Sequence, residues 1–416
     1  MKYSTDKSFC EELDQKDSLK SYKDLFFIPK NNHGKELIYF CGNSLGLQPK
    51  KTKEYIIQEI DDWKTHAVEG HFHAKNPWLP YHEMLSTSYS KLIGAKSSEV
   101  IAMNTLTVNL HLMMVSFYKP EKNKFKVLIE KDAFPSDIYA VESQIKFHGF
   151  NSDEALIKLE PRKGEYFIRQ EDIEKIIKEN SNEIALILLG GVNYYTGQLF
   201  DMQKITRVGH ENGIVVGFDL AHAIGNVKLE LNKWNVDFAV WCSYKYLNSG
   251  PGAIAGAFVN ERFHNVEIPR FTGWWGHNKK ERFLMDDKFK PIKSAEGWQL
   301  SNPPIFSLAP VFASLSIFDK VGMDDLIKKS KALTNYLEFL IKSIDNKNIE
   351  IIDVPMRGCQ LSIRVKNYDK KLFNNLTENG IVADWREPDV IRIAPVPLYN
   401  TFTDAFNFYQ TLKKLL

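Results

Sequence analysis

Ile214-Val215-Val216-Gly217-Phe218-Asp219-Leu220-Ala221-His222-Ala223 and, further on, Val236 to Trp241 followed by Cys242-Ser243-Tyr244-Lys245 decide how this chain folds. Each apolar run reads as a buried parallel strand with a polar group at its C-terminal end. Ligands of open α/β sheets bind beyond that edge, so Asp219 and Lys245 could face one small molecule from neighbouring strand ends. The chemistry that wants this pair is that of pyridoxal phosphate. A lysine amine condenses with the cofactor's aldehyde, and a carboxylate keeps the pyridine nitrogen protonated so that the ring accepts electrons. Plainer readings stand beside this one: Asp219 as the N-cap of the next helix, and Lys245, near Tyr and Asn, as a solvated loop residue.

A chain of 416 residues, 44% hydrophobic and 25% charged, suits a globular enzyme with one large core and one smaller. A formal charge of +2, with lysines scattered among acids, gives no basic face for nucleic acid or anionic membrane, so small molecules are the expected partners. Cys10, Cys41, Cys242 and Cys359 are widely spaced, without CxxC pairing or a disulfide framework, which fits reduced thiols in the cytoplasm; no metal site is expected. The N-terminus lacks an apolar core segment, and the most apolar run, Ile184 to Leu189, is too short to cross a bilayer.

Residues 1–50 read as an arm: a short helix, the extended piece Leu37 to Phe40, and a turn at Gly42-Asn43-Ser44-Leu45-Gly46. Ile56, Ile60 and Trp63 recur at helical spacing and predict an amphipathic helix over Lys51 to Lys64. Glu69 to Tyr81, rich in His, Trp and Pro, reads as a loop that could wall a pocket. From Met84 onward, helical patterns alternate with apolar runs at Val100 to Met103, Lys126 to Ile129, Leu156 to Leu159, Ile184 to Leu189, the two central runs and Ala253 to Val259. The fold class is therefore α/β, a mostly parallel central sheet with helices on both faces, spanning 51–305. Helices at Val311 to Val321 and Met323 to Ile344, strands at Glu350 to Val354, Cys359 to Arg364 and Val390 to Ala394, and a last helix from Asp404 predict a smaller α+β domain over 306–416.

Several groups could join Asp219 and Lys245. Asn104 to Asn109, with Leu106 and Thr107, opens a helix after a strand, where free N–H groups and threonine hydroxyls suit a phosphate; simple capping by Thr105 or Thr107 explains them equally. Phe134-Pro135-Ser136-Asp137 follows the next strand, and Phe134 could stack on a pyridine ring or sit in the core. Gly190 and Gly191 leave a strand tip without bulk, for a turn or for a ligand. His222 could brace Asp219 or be an unrelated histidine. Asp237, inside an apolar run, has no evident role. Trp274-Trp275 and Ser301-Asn302 offer donors for a phosphate, or plain interface packing and a hinge. Arg392, amid an apolar run, could hold a substrate carboxylate or lie on an edge strand facing water.

With these residues in view the sequence resembles the kynureninase family of fold type I pyridoxal-phosphate enzymes. The likeness runs from about Tyr39 to Tyr399 through Gly42 to Pro49, Leu106 to His111, Phe134 to Asp137, Asp219 to Ala223, Ser243 to Tyr246, Ser301 to Pro304 and Ala394 to Tyr399. It implies hydrolysis of kynurenine or 3-hydroxykynurenine to alanine and an anthranilate, in tryptophan degradation and NAD biosynthesis. Lys245 would link covalently to the cofactor, Asp219 would pair with its ring nitrogen, and Tyr244 would relay protons. Leu106, Thr107, Phe134, Pro135, Ser136, Asp137, Gly190, His222, Tyr244, Trp274 and Asn302 would surround it. Trp274 and Asn302 would come from the other subunit of a homodimer with shared sites. Ser44, His71, Asn302 and Arg392 would hold the substrate. Gly190 stands where many relatives carry serine, so a hydroxyl contact is missing or replaced by water.

Three competing readings remain. A cysteine desulfurase or selenocysteine lyase shares the fold but needs a mobile nucleophilic cysteine, whereas Cys359 opens what reads as a buried strand. An aminotransferase would show turnover dependent on a keto acid. A non-catalytic binding protein on the same fold would have no use for Asp219 and Lys245. A nicotinamide-binding enzyme is disfavoured because no GxGxxG follows the early strands.

Overall fold

The apolar runs pair into three sheets in a computed structural model that describes residues 2–416. In chain order the strands are β1 (Ile38–Tyr39), β2 (Val100–Ala102), β3 (Lys126–Glu130), β4 (Leu156–Leu159), β5 (Ile184–Gly190), β6 (Val215–Asp219), β7 (Phe238–Trp241), β8 (Gly256–Val259), β9 (Ile349–Ile351), β10 (Leu361–Val365), β11 (Ile381–Val382), β12 (Asp384–Arg386) and β13 (Val390–Ile393). The large sheet has the order β2-β8-β7-β6-β5-β3-β4. It is parallel except for β8, which runs antiparallel to both β2 and β7. Ile184 to Leu189 is buried throughout rather than alternately, as expected of a strand covered by helices on both faces. A second sheet, β12-β13-β10-β9, is wholly antiparallel, and β1 of the N-terminal arm pairs in parallel with β11.

Several expectations need correcting. The run from Ala253 becomes strand only at Gly256, and Val236 and Asp237 precede β7 rather than joining it. Asp237 is a structural tie, accepting the Val216 N–H at 2.7 Å and pairing with His210 at 2.8 Å and with Arg262. The first amphipathic helix spans Thr52–His66, but Ile60 is 41% and Trp63 60% exposed while Glu59 and Asp62 are buried. The acids face inward because they tie down the following segment: Glu59 accepts from Trp78 Nε1 at 2.9 Å and Asn76 Nδ2 at 3.2 Å, and Asp62 accepts the Lys75 N–H at 3.1 Å. Within the expected 69–81 loop, Gly70–His73 closes a helical turn, and the next helix is Tyr81–Ile93. Cys359 does not open a strand; it is buried just before β10.

Packing divides the chain unevenly. The helix Ile305–Val321 buries Leu308, Val311 and Leu315 in the core of the large sheet, beside Tyr81, Leu85 and Val216. Leu333, Tyr336 and Leu340 of the helix Met323–Lys342 instead join β10, β13 and the last helix, Phe402–Leu415, in a separate core. The arm touches both: Cys10 and Phe40 enter the small core, Phe26 and Leu47 the large one. No single helix among the described residues is long and apolar enough to cross a membrane.

Candidate active site

Adjacent parallel strands bring the two decisive residues together. In register, Gly190 at the tip of β5 faces Asp219 at the end of β6, and Asp219 faces Val240 on β7, which leads to Lys245. These ends open into one cavity, lined by Asp219 and Lys245 together with Leu106, Thr107, Phe134 and Tyr244. Lys245 Nζ donates to His222 Nε2 at 2.9 Å and lies 5.8 Å from the centroid of the Phe134 ring. Burial, then the charge of Lys245, holds His222 well below the usual histidine range, so the ring is neutral and accepts at Nε2.

Asp219 accepts the Ala221 N–H at 2.7 Å, which fixes its carboxylate at the strand end. Burial raises its pKa, while the Ala221 N–H and Lys245 oppose the rise. Asp137, on the first turn of the helix Pro135–Phe147, hydrogen-bonds to Asp219 and is raised well above the carboxylate range by burial and by that neighbour's charge. The two form a carboxyl dyad beside one lysine, in which burial opposes ionisation of both.

Two helix N-termini meet on the opposite wall. The helix Leu106–Phe117 begins with Leu106 and Thr107, and Thr107 Oγ1 lies 2.9 Å from Ser136 Oγ on the first turn of its neighbour. Uncompensated N–H groups and two hydroxyls there suit a phosphate. Phe134 is 46% exposed and so presents a free ring face rather than filling the core. Its edge partner, Tyr194, has a centroid at 5.3 Å. Tyr244 also lines the cavity, its ring 6.0 Å from Lys245 Nζ, with a hydroxyl pKa pushed up by burial and by Cys242.

Arg392 lies on the interior strand β13 at 1% exposure, so the edge-strand reading fails. It already has a carboxylate partner, Asp384 of β12, and donates further to Ser44 Oγ at 3.3 Å and to the Tyr194 carbonyl at 2.5 Å. Ser44 also bonds to Asp384, so the arm, the small sheet and the cavity wall meet at this guanidinium. Trp274, Asn302 and His71 do not line the cavity of their own chain. Trp274 Nε1 donates to the Arg282 carbonyl at 3.1 Å, Asn302 is exposed, and His71 Nδ1 bonds within its own turn to Val68 O at 2.9 Å.

Glu130, at the end of β3, escaped the sequence reading although the same signal, an acid closing an apolar run, had marked Asp219. Its Oε1 accepts the Gly190 N–H at 2.6 Å and its Oε2 accepts from Asn193 Nδ2 at 2.7 Å. The bare strand tip at Gly190 is thus met by a carboxylate of the chain itself.

The residues present fit pyridoxal phosphate: a lysine beside a carboxyl dyad, an open aromatic face, and hydroxyl-bearing helix N-termini. His222, which lines the cavity, also keeps its Nδ1 buried without a partner among the described residues. Sheet and site together define the fold type I class of pyridoxal-phosphate enzymes. Solved structures share the fold: a cysteine desulfurase from Thermococcus onnurineus, TM-score 0.76 at 16% identity over 91% of this chain and 94% of that one, and a C-DES mutant with glycine covalently linked to its PLP cofactor, TM-score 0.74 at 14% identity over 90% and 96%.

Sequence relatives narrow the class. The kynureninase of Flavobacterium psychrophilum is 53% identical over 98% of this chain and 97% of its own length. That of Nematostella vectensis is 47% identical over 98% and 93%. A family model of the kynureninase C-terminal domain matches residues 326–412, and one of the DegT/DnrJ/EryC1/StrS aminotransferase family matches 81–231. This chain belongs to the kynureninase family.

Proposed function

We propose that the cavity hydrolyses kynurenine, 3-hydroxykynurenine or both, to alanine and the corresponding anthranilate, within tryptophan degradation and NAD biosynthesis. The observation that carries this reading is Lys245 beside the Asp219–Asp137 dyad, in a chain whose family is established over nearly its whole length. When bound, pyridoxal phosphate supplies a sink for the electron pair left on the substrate's α-carbon. Lys245 would hold the cofactor, and its amine, when free, would take the substrate's α-proton. Asp219, steadied by Ala221 and Asp137, keeps a proton on the ring nitrogen. Leu106, Thr107 and Ser136 receive the phosphate, Pro135 presets the first helical turn behind them, and Phe134 covers the ring. Gly190, whose N–H donates to Glu130, would offer the ring no side chain, and His222 accepts from Lys245. Arg392 takes the substrate's α-carboxylate, with Ser44 and Asp384 fixing the orientation of the guanidinium. Water adds to the side-chain carbonyl, and the Tyr244 hydroxyl moves protons as the bond to the aromatic fragment breaks.

The site is completed in a homodimer. Ile57, Ile60, Trp63 and Phe306 form an exposed apolar stripe, and the Trp63 and Phe306 rings are 6.1 Å apart. A partner covering it would bring Trp274, Asn302 and His71 toward the neighbouring cavity, where Asn302 and His71 contact the substrate's ring. The arm 1–50 and the small domain act together; because the helix Ile305–Val321 packs into the core of the large sheet, the working boundary moves from 305 to Gly322. Free cysteines throughout support a cytoplasmic setting.

The desulfurase reading is disfavoured by the thiols. Cys359 is buried and its pKa is pushed up to about 12, so no thiolate is available there. Burial also raises Cys10, Cys41 and Cys242.

The first test is the absorbance of the purified protein with cofactor, followed by addition of each substrate while watching for fluorescent anthranilate product. Product release supports the reading, and the relative rates rank the substrates. A visible cofactor band without product from either compound refutes it. Lys245→Ala should lose that band and at least about a thousandfold in turnover; a retained band would refute the Lys245 role.

A further inference from the structure

Among the buried carboxyls that line the cavity, Glu130 has no role in the proposed chemistry. Glu130 is 3% exposed, and both its oxygens accept hydrogen bonds from the polypeptide, from Gly190 and Asn193. A Cβ at residue 190 would lie 3.0 Å from Glu130 Oε1 and 3.4 Å from the Val192 carbonyl. The missing side chain is therefore what lets the carboxyl reach the strand tip beside Asp219. A second, smaller cavity adjoins the first, lined by Asp132, Glu165, Tyr166 and Tyr195. Glu130 and Asn193 line both cavities, so these two side chains form the wall between them.

Charge counting gives the wall a role. Asp137 and Asp219 feel one ammonium, that of Lys245, while His222 is neutral, and Glu130 adds a third carboxyl within the field of Asp219. Three carboxylates in one buried site cannot all ionise beside a single cation. The other charges around Glu130 are also acidic or remote: Asp132 on its own loop, Glu165 across the second cavity, and Arg386 and Arg392 on the far side of Tyr194.

We propose that Glu130 is a positioning residue that sets the charge felt by the bound cofactor, taking up and releasing the site's spare proton by way of the cavity behind Asn193. The proposal rests on the assignment of Lys245 as the cofactor's lysine. The proton leaves near neutrality, because burial pushes Glu130 up to about 7 against the pull of its two donors. Ionised, Glu130 favours the cationic form of the cofactor joined to Lys245; protonated, it withdraws that support.

The test is the pH midpoint of the visible band of the holoenzyme. Glu130→Gln removes the charge and should lower the midpoint by about one pH unit. Adding Asn193→Asp returns a carboxylate to the same wall, where it can accept from the new amide. The Asn193 Oδ1 bonds to the Tyr195 and Thr196 N–H groups, at 3.0 and 2.9 Å, are compatible with that exchange. The double variant should bring the midpoint back. A single variant that melts earlier with an unmoved midpoint, or a shift the double variant fails to reverse, overturns the proposal. Should neither variant hold cofactor, carbon-13 glutamate labelling of the unsubstituted protein decides. One side-chain carboxyl titrating between about 6 and 8 supports the role, and all titrating below about 5.5 overturns it. Absence of a visible band in the unsubstituted protein would count against Lys245, and the carbon-13 titration would still decide Glu130.

Discussion

Arg392 shows how one side chain can serve structure and substrate together. Its guanidinium is buried and already shared by Asp384, Ser44 and the Tyr194 carbonyl, so truncation leaves a carboxylate unpaired as well as removing the substrate's anchor. Arg392→Ala should raise KM roughly thirtyfold or more, while a substrate analogue lacking the α-carboxylate binds nearly as before. Equal losses for both ligands in titration calorimetry would place the anchor elsewhere. Glu130 makes a separate prediction, for the apoprotein. Its carboxyl titrates near 4.5 in the unfolded chain and at about 7 when folded, so between those values the fold keeps a proton that the unfolded chain has lost. This contribution is complete below about 4.5 and is lost as pH rises through 7, at no more than about 1.4 kcal/mol per pH unit. Urea unfolding from pH 5 to 8 should show the decline, and Glu130→Gln should flatten it. Lys245, Asp219 and Phe134 were legible in the sequence because each follows an apolar run that could only be a buried strand. Glu130 closes the same kind of run and was passed over, because nothing beside it in sequence shows that Gly190 and Asn193 donate to it from a neighbouring strand and its loop.

At the scale of elements, periodicity located the helix Thr52–His66 but not which of its faces is covered. Ile60 and Trp63, which set the period, are exposed, whereas Glu59 and Asp62 turn inward to hold Trp78, Asn76 and Lys75. Hydrophobic spacing says which residues share a face, not what covers it. β11 and β12, of two and three residues, were too short to show any period, and the helix Asp369–Glu378 was passed over among polar residues. Asp237 was legible only as an anomaly, and the structure makes it a joint: it links the helix Met202–Glu211 through His210, the start of β6 through Val216, and the segment after β8 through Arg262. Asp237→Ala should cost about 2 kcal/mol, toward the low side for a buried pair because Arg262 and His210 are partly exposed. Its midpoint in urea should fall while the visible cofactor band keeps its shape and pH dependence. A changed band would mean that this joint reaches the cavity.

The whole molecule carries two unlike surfaces. Its own core is closed around the large sheet and the small one, yet Ile57, Ile60, Trp63 and Phe306 stay exposed as a contiguous apolar stripe, the kind of surface a second copy would cover. Trp63→Asp should therefore shift the protein toward monomer at micromolar concentration in sedimentation velocity, and a dimer of unchanged stability would move the interface elsewhere. Sharing of sites across that dimer makes a stricter prediction. Lys245→Ala removes the covalent anchor from one subunit's cavity, and Trp274→Ala with Asn302→Ala removes the groups proposed to reach the other's. Each variant alone should be inactive. Co-expressed, they form mixed dimers in which one cavity has lost both contributions and the other has kept both. Random pairing makes half of the dimers mixed, with one intact cavity of two, so about a quarter of native activity should return. Recovery near that fraction requires a partner's residues in each site. Co-expressed dimers as inactive as the separate variants would confine each site to one chain, leaving Trp274 and Asn302 to the surface on which this chain places them.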